Sequence, residues 1–286
     1  MHVNKPLTLL GGISPAEFMN TYWQRKPLLV RQAIPEFKAL LSRPELFDLA
    51  EHNEVESRLV IGADGGKRDW QMQRGPFKRR AIPKLTERDW TLLVQGVDLH
   101  DDRVAALMQQ FRFIPDARLD DVMISYATEG GGVGPHFDSY DVFLLQAHGQ
   151  RRWRIGRQKD LSLVPDMPLK ILANFKPEHD WVLNPGDMLY LPPRYAHDGI
   201  AQGECMTYSV GFRVPQTGDL ARELLVRLSE GAEEAAGCDL YKDAAQPAVS
   251  KPAAMPEGLA EFAKTALQKA LKDPKALQRA LGEYLT

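Results

Sequence analysis

The sequence is short of cysteine, of long apolar runs and of net charge, and each shortage removes a class of protein. Its 286 residues hold two cysteines, Cys205 and Cys238, too few for a secreted disulfide framework and not spaced as a metal-binding pair. Both read as buried thiols in a reducing compartment. The N-terminus, Met1-His2-Val3-Asn4-Lys5-Pro6, has no apolar signal region, and no stretch approaches the roughly 18 apolar residues of a membrane span. A cytoplasmic protein without membrane contact is expected. Formal net charge is −2, so no global basic field draws nucleic acid and no direct nucleic-acid binding is required. Internal repeats and long low-complexity segments are absent too. What is present is an ordinary globular composition, 44% hydrophobic and 26% charged, over a length that fits one large domain and a smaller appended unit.

Ser14-Pro15-Ala16-Glu17 predicts a short helix running to Trp23, with proline in the first turn and Glu17 closing a capping box. Residues 26–31 and 57–62 read as strands, with a helical patch at 47–50 between them and a turn at Ala63-Asp64-Gly65-Gly66 after the second. From Asp121 onward the pattern becomes short β-rich runs at 122–126, 142–146, 152–155, 181–183, 188–191 and 206–212, broken by Gly and Pro. Strands at such spacing predict a sandwich or barrel. Beyond Phe212-Arg213-Val214-Pro215 the composition turns to helix formers. Leu220, Leu224, Leu225 and Leu228 make one apolar stripe, and Ala232 to Ala236 read as helix. A loop with Pro247, Pro252 and Pro256 then leads to a helix from about Glu257, and Asp273-Pro274 caps a last one carrying Leu277, Leu281 and Leu285. So small a helical unit buries little surface alone. It is expected to pack on the β domain or on a second copy of itself.

The residues that carry chemistry lie in Gly130-Gly131-Gly132-Val133-Gly134-Pro135-His136-Phe137-Asp138 and, later, at His197 in Pro192-Pro193-Arg194-Tyr195-Ala196-His197. On a strand, positions i and i+2 share a face, so His136 and Asp138 can share a metal while Phe137 packs the other way. A third ligand comes from a neighbouring strand. Two neutral imidazoles and a carboxylate on one face of an octahedron leave positions open, as in non-haem iron(II) oxygenases; zinc more often takes a closed tetrahedral set or three ligands and a water. With seven histidines in the chain, a His-x-Asp pair also arises by chance, and a plain glycine-rich hairpin is the alternative account of the run before it. Two contexts favour the metal. Glycines let backbone approach a ligand and bend sharply, and Asn184-Pro185-Gly186-Asp187 launches a strand whose Pro-Pro end delivers His197. His52, His100, His148 and His179 have no ligand-like partner and read as structural or surface residues.

Further stretches complete a pattern: Arg58-Leu59-Val60, Gly75-Pro76-Phe77, Trp90 to Gln95, Asp121 to Ser125, Tyr140-Asp141-Val142-Phe143, Arg151-Arg152-Trp153-Arg154, Pro185 to Pro193 and Tyr208 to Arg213. In this order, over nearly the whole chain, they resemble the Jumonji-type (JmjC) cupin oxygenases, and among these the bacterial ribosomal oxygenases that hydroxylate an arginine of a large-subunit ribosomal protein. The resemblance implies a mainly β fold with α, a double-stranded β-helix (cupin, jelly-roll) domain over residues 1–213 with its motif core from about 90, and a helical dimerisation region over 214–286. Many bacterial relatives continue into a winged-helix domain, which is expected to be absent from a chain ending at Thr286. Fe(II) is the implied metal, held by His136, Asp138 and His197, with 2-oxoglutarate and O2 as co-substrates and a homodimer as the assembly.

The distal carboxylate of 2-oxoglutarate needs a cation, and Arg151 in Gly149-Gln150-Arg151-Arg152-Trp153 matches that role, with Ser125 as the supporting hydroxyl. Alternation puts Arg151 and Trp153 on one face and Arg152 on the other. On pattern alone a solvated surface arginine is the plainer account. Asp121, Met123 and Tyr140 match the substrate pocket of the arginine-specific relatives, although each equally fits ordinary strand packing. The expected activity is hydroxylation of an arginine side chain on a ribosomal protein. The alternatives are histidyl hydroxylation of another ribosomal protein and a non-catalytic cupin-type binding protein.

Overall fold

The computed structural model describes residues 2–62, 69–248, 251 and 253–285; the turn expected at Ala63-Asp64-Gly65-Gly66 and Pro252 lie outside the described residues. The chain forms two compact units, Met1–Val214 and Pro215–Thr286. In the first, an antiparallel sheet takes in nine strands among the described residues: β1 (Leu28–Val30), β2 (Ser57–Ile61), β3 (Gln71–Arg74), β4 (Trp90–Val94), β5 (Leu119–Ala127), β6 (Asp141–Gly156), β7 (His179–Leu183), β8 (Met188–Leu191) and β9 (Ala196–Phe212). Their order is β1-β8-β6-β9-β5-β4-β2-β3, with β7 also paired to β6. This is the mainly β, cupin-type core that the sequence leads one to expect.

Several elements differ from their sequence reading. The runs 142–146 and 152–155 belong to one 16-residue strand, β6, which pairs with β8 along its first half, β7 along its second and β9 throughout. β3 has polar, largely exposed residues and no apolar alternation to betray it; it forms because β2 offers it an antiparallel edge. The helical patch at 47–50 is the end of a helix that starts earlier. Of the three α-helices among the described residues of this unit, α1 (Pro15–Thr21), α2 (Arg43–Leu49) and α3 (Asp102–Met108), it is α2 that has the full capping box: Ser42 Oγ accepts from the Glu45 amide and Glu45 reaches back to the Ser42 amide. At α1 Ser14 Oγ accepts from the Glu17 amide. Of the two thiols read as buried, Cys205 is buried and Cys238 is exposed.

The sheet buries its two faces separately, and this separation positions the site. One face takes the large core beneath the helices, where Phe18 meets Tyr190 at 5.0 Å, Phe111 meets Phe143 at 4.9 Å and Phe47 meets Tyr126 at 5.1 Å between ring centroids. Such aromatic pairs add about 0.5–1.5 kcal/mol each beyond the area they bury. The opposite face carries a smaller apolar cluster of Val142, Leu144, Trp153, Ile155, Leu183, Leu189, Leu191 and Tyr195. Across that face runs a row that is polar except for Leu93. Arg58 lies opposite Leu93, Leu93 opposite Ser125, Ser125 opposite Thr207 and Thr207 opposite Gln146, and residues directly opposite in paired strands share a face.

The second unit holds α4 (Thr217–Ser229), α5 (Ala232–Ala236), α6 (Glu257–Ala270) and α7 (Pro274–Leu285). α4 packs on α7 and α5 on α6, with Arg227 over the Tyr284 ring at 5.6 Å. The Asp273 side chain accepts from the Lys275 amide at 2.9 Å, so the Asp-Pro start caps α7. The leucine stripes are only partly covered. Leu220, Leu224 and Leu228 are half-buried, whereas Leu225, Val226, Leu267, Leu271, Leu277 and Leu281 are exposed.

Candidate active site

His136 and Asp138 lie in extended chain rather than in a strand. His136 forms an isolated antiparallel bridge with His197, the second residue of β9: the His136 amide donates to His197 O at 2.9 Å and the His197 amide to His136 O at 2.8 Å. The Arg194 amide donates to Asp138 O at 2.7 Å and anchors the far end. The expected i, i+2 geometry is thus held by a single bridge and an anchor, because no longer ladder runs past Pro135. The result brings the three residues together. Asp138 Oδ2 is 4.0 Å from His136 Nε2 and 3.6 Å from His197 Nε2, and one ligand atom from each residue lies within 4.8 Å of the others.

Each imidazole is oriented from behind. His136 Nδ1 lies 2.8 Å from Gly134 O and His197 Nδ1 2.9 Å from Tyr195 O. A carbonyl only accepts, so each Nδ1 carries a proton and each Nε2 is turned toward the Asp138 carboxylate as the available ligand atom, the arrangement of a metal-ligating histidine. Burial, helped by repulsion from His136 and opposed by Asp138, pushes the His197 pKa down to about 4. His197 is therefore neutral at physiological pH, the form a metal requires. Two nitrogens and one carboxylate oxygen on one side suit a facial non-haem iron site better than a closed zinc cage.

The glycine run packs closely. A Cβ on Gly132 would meet Gly199 O at 2.5 Å, and one on Gly134, whose φ is +75°, would meet Ile171 at 2.6 Å. The chain is pressed onto β9 and a neighbouring loop, so Gly132 and Gly134 serve packing that places His136. His52, His100, His148 and His179 are all exposed.

Arg151 is not a solvated arginine. It is 5% exposed, on the same face as Trp153, while Arg152 points outward and pairs with Asp180 of β7. Arg151 Nη1 donates to Ser125 Oγ at 3.1 Å, and Ser125 Oγ donates to Thr207 O at 3.4 Å. Arg151 Nε and Nη2 are buried without a partner among the described residues, as is Trp153 Nε1. Trp153 links the two regions, with its ring 5.8 Å from the Arg151 guanidinium and 5.9 Å from the His197 ring. Unpaired buried guanidinium nitrogens cost stability unless an anion meets them, so the cradle suits a carboxylate reaching from the metal triad.

Asp121, Met123 and Ser125 alternate along β5 onto one face, which puts Met123 between the other two. Asp121 Oδ2 accepts from the Gly96 amide at 2.8 Å and from Gln95 Nε2 at 3.2 Å, and Gln95 Oε1 accepts from Arg58 Nη2 at 2.6 Å. Burial first, then the charges of Asp120, Asp98 and Glu56, pushes the Asp121 pKa up to about 6. A carboxylate so placed gains most from an incoming cation. Tyr140 is 41% exposed, and its phenol pKa is raised by desolvation and then by the charges of Asp138 and Asp121. Thr207 and Gln146 escape notice in a motif reading of this site, and so does the place of Trp153 beside His197. Their signal is faint: polar or bulky residues at inward positions of otherwise apolar strands.

Residues 106–220 match the family model described as the JmjC domain. The chain is 37% identical over 273 residues, 94% of its own length and 70% of the relative's, to the ribosomal protein uL16 3-hydroxylase of Escherichia coli K12. It is 38% identical over 211 residues, 73% of its length, to a probable ribosomal oxygenase of Haemophilus influenzae, of which it spans about half, 52%. A solved structure of YcfD, a ribosomal oxygenase from Escherichia coli, in complex with cobalt and 2-oxoglutarate, matches with a TM-score of 0.78 at 36% identity, over 98% of this chain and 72% of that one.

Proposed function

The chain belongs to the JmjC-domain ribosomal oxygenases, and on that premise we propose that it is an iron(II)- and 2-oxoglutarate-dependent hydroxylase of an arginine side chain on ribosomal protein uL16. The observation that carries this reading is the buried Arg151 guanidinium, with two unpartnered nitrogens, joined to the histidine-aspartate triad through Trp153. His136, Asp138 and His197 would hold the iron. When bound, iron(II) and 2-oxoglutarate supply the chemistry: one oxygen atom of O2 enters succinate, formed with carbon dioxide, and the other enters the substrate C–H bond.

The chain's own residues bind and orient. Gly134 O and Tyr195 O fix both histidine tautomers. Arg151 and Ser125 take the distal carboxylate of 2-oxoglutarate by charge-assisted hydrogen bonds, and the Trp153 ring walls the space between them and the triad, keeping water from it. At the other end Asp121 takes the substrate guanidinium while Met123 and Tyr140 line its methylenes. A carboxylate at the Asp121 position suits a permanently charged guanidinium better than a neutral imidazole, which supports arginine over histidine as the target.

Protein reconstituted with iron(II) without oxygen, then given O2, 2-oxoglutarate and a uL16 arginine peptide, is expected to add about 16 Da, one oxygen atom, with matching succinate. A gain on a histidine-bearing ribosomal peptide in its place, or succinate without peptide oxidation, would overturn the assignment. The His136→Ala protein is expected to do neither.

Work on a ribosomal protein goes with a cytoplasmic location, and no described helix is long and apolar enough to cross a membrane. The exposed Leu225, Val226, Leu267, Leu271, Leu277 and Leu281 support a homodimer through the helices of residues 215–286.

A further inference from the structure

Arg151 faces the site only because β6 changes phase before reaching it. In the first part of the strand the even-numbered Val142 and Leu144 lie on the site face, and the odd-numbered Phe143, Leu145 and Ala147 lie in the core beneath the helices. In the second part the odd-numbered Arg151, Trp153 and Ile155 face the site. A strand with unbroken alternation would keep even residues inward and aim Arg152 at the co-substrate. β9 shows no such change: His197, Ala201, Cys205 and Thr207 stay on the site face, and Met206, Tyr208, Val210 and Phe212 stay in the other core. The change is made in β6, where the β6–β9 register shifts between Gln146 and His148 and again between His148 and Gln150.

One side chain grips this irregularity. Gln146 is fully buried, and its Nε2 donates to His148 O at 2.8 Å and to Gly149 O at 3.3 Å, the carbonyls of the shifted segment. Gln146 Oε1 accepts from Thr207 Oγ1 at 2.9 Å, and its backbone is pinned by Gly186 and Asp187 of the turn before β8. The contacts close a ring: Arg151 to Ser125, Ser125 to the Thr207 backbone, the Thr207 hydroxyl to Gln146, and Gln146 to the two carbonyls just before Arg151. Gly149 permits the bend, with φ at +59° and a position where a Cβ would lie 2.0 Å from Glu204 O.

We propose that Gln146, held by Thr207, is a positioning residue that clamps the shifted segment of β6 and so aims Arg151 at the distal carboxylate of 2-oxoglutarate. The proposal rests on the role given to Arg151 above. The clamp acts on one end of the co-substrate only, since the triad is built on the His136–His197 bridge and Asp138, which no contact of Gln146 reaches.

The test uses the full chain loaded with Mn(II), which binds without turnover, and compares 2-oxoglutarate with 2-oxopentanoate, which has the same chain length and no distal carboxylate. Gln146→Met keeps the volume and removes both donors and the acceptor; Thr207→Val removes the hydroxyl alone and serves where the first variant folds poorly. The expected result is 2-oxoglutarate binding weakened on the order of tenfold for Gln146→Met and less for Thr207→Val, with Mn(II) and 2-oxopentanoate affinities unchanged. Equal weakening of both 2-oxo acids would reduce Gln146 to a general structural role and overturn the proposal, as would unchanged 2-oxoglutarate binding in both variants. If the unaltered protein itself shows no preference for 2-oxoglutarate over 2-oxopentanoate, the reading of Arg151 fails and this one with it, so the two failures are distinguishable.

Discussion

Arg151 holds two guanidinium nitrogens away from water with nothing to bind them, a cost of more than about 1–3 kcal/mol for a charged group. Replacing Arg151 with Met removes that cost while filling most of the space. We expect Arg151→Met to leave the thermal midpoint of the ligand-free protein unchanged or higher, and to weaken 2-oxoglutarate about a hundredfold, or about 2.8 kcal/mol. Loss of stability together with unchanged binding would make Arg151 a structural residue. Asp121 offers a second contrast. Its folded pKa near 6 exceeds the ordinary 3.8, so the folded state binds its proton more tightly than the unfolded one. The stability it contributes is present below about pH 4 and is lost as pH rises to about 6. Asp121→Asn should therefore be more stable than the parent at pH 8, by about 2 kcal/mol, and no more stable at pH 3.5, as urea unfolding at the two pH values would read. The same variant should bind an arginine peptide more weakly at pH 8.

At the scale of the element, β6 decides where chemistry sits. Gly149→Ala forces a left-handed residue to carry a Cβ against the Glu204 carbonyl; we expect it to cost at least about 2 kcal/mol in urea unfolding and to weaken 2-oxoglutarate along with it. What the sequence makes legible follows from the same strand. The β-rich runs, the Pro-Gly-Asp turn and the close spacing of His136 and Asp138 are local signals, and the structure brings those two residues to His197. Arg151 and Trp153 also share a face, as simple alternation within 151–153 requires. The phase change is invisible to such a reading, because a register shift belongs to a pair of strands and His148-Gly149-Gln150 looks like a turn between two short ones. β3 escapes for a related reason: its residues are polar, and only the β2 edge makes them a strand. The packing role of Gly132 and Gly134 is not legible either, because sequence reveals that backbone comes close to something without revealing that it is Gly199 and Ile171.

At the scale of the whole molecule, the helical unit is the part least able to stand on its own surface. Ala280 is the buried apolar residue of its helices among those described, and a stable interface buries roughly 800 Å² on each partner. The exposed leucines of α6 and α7, with Leu225 and Val226 of α4, can supply the apolar centre of such a contact. Of these, Leu277 and Leu281 lie one turn apart on α7 and are exposed, whereas Ala280, roughly a quarter-turn to one side, is buried; changing the two leucines is expected to leave the contact of α7 with α4 in place. Sedimentation of the unaltered protein at micromolar concentration should give twice the chain mass. Leu277→Glu with Leu281→Glu buries two carboxylates against an apolar partner and should give the chain mass, while far-ultraviolet circular dichroism and 2-oxoglutarate affinity stay as in the parent, because the co-substrate cradle is built wholly from β5, β6 and β9. A parent that sediments as a monomer would end the dimer reading. A double variant that stays dimeric would move the interface to another face of the helices.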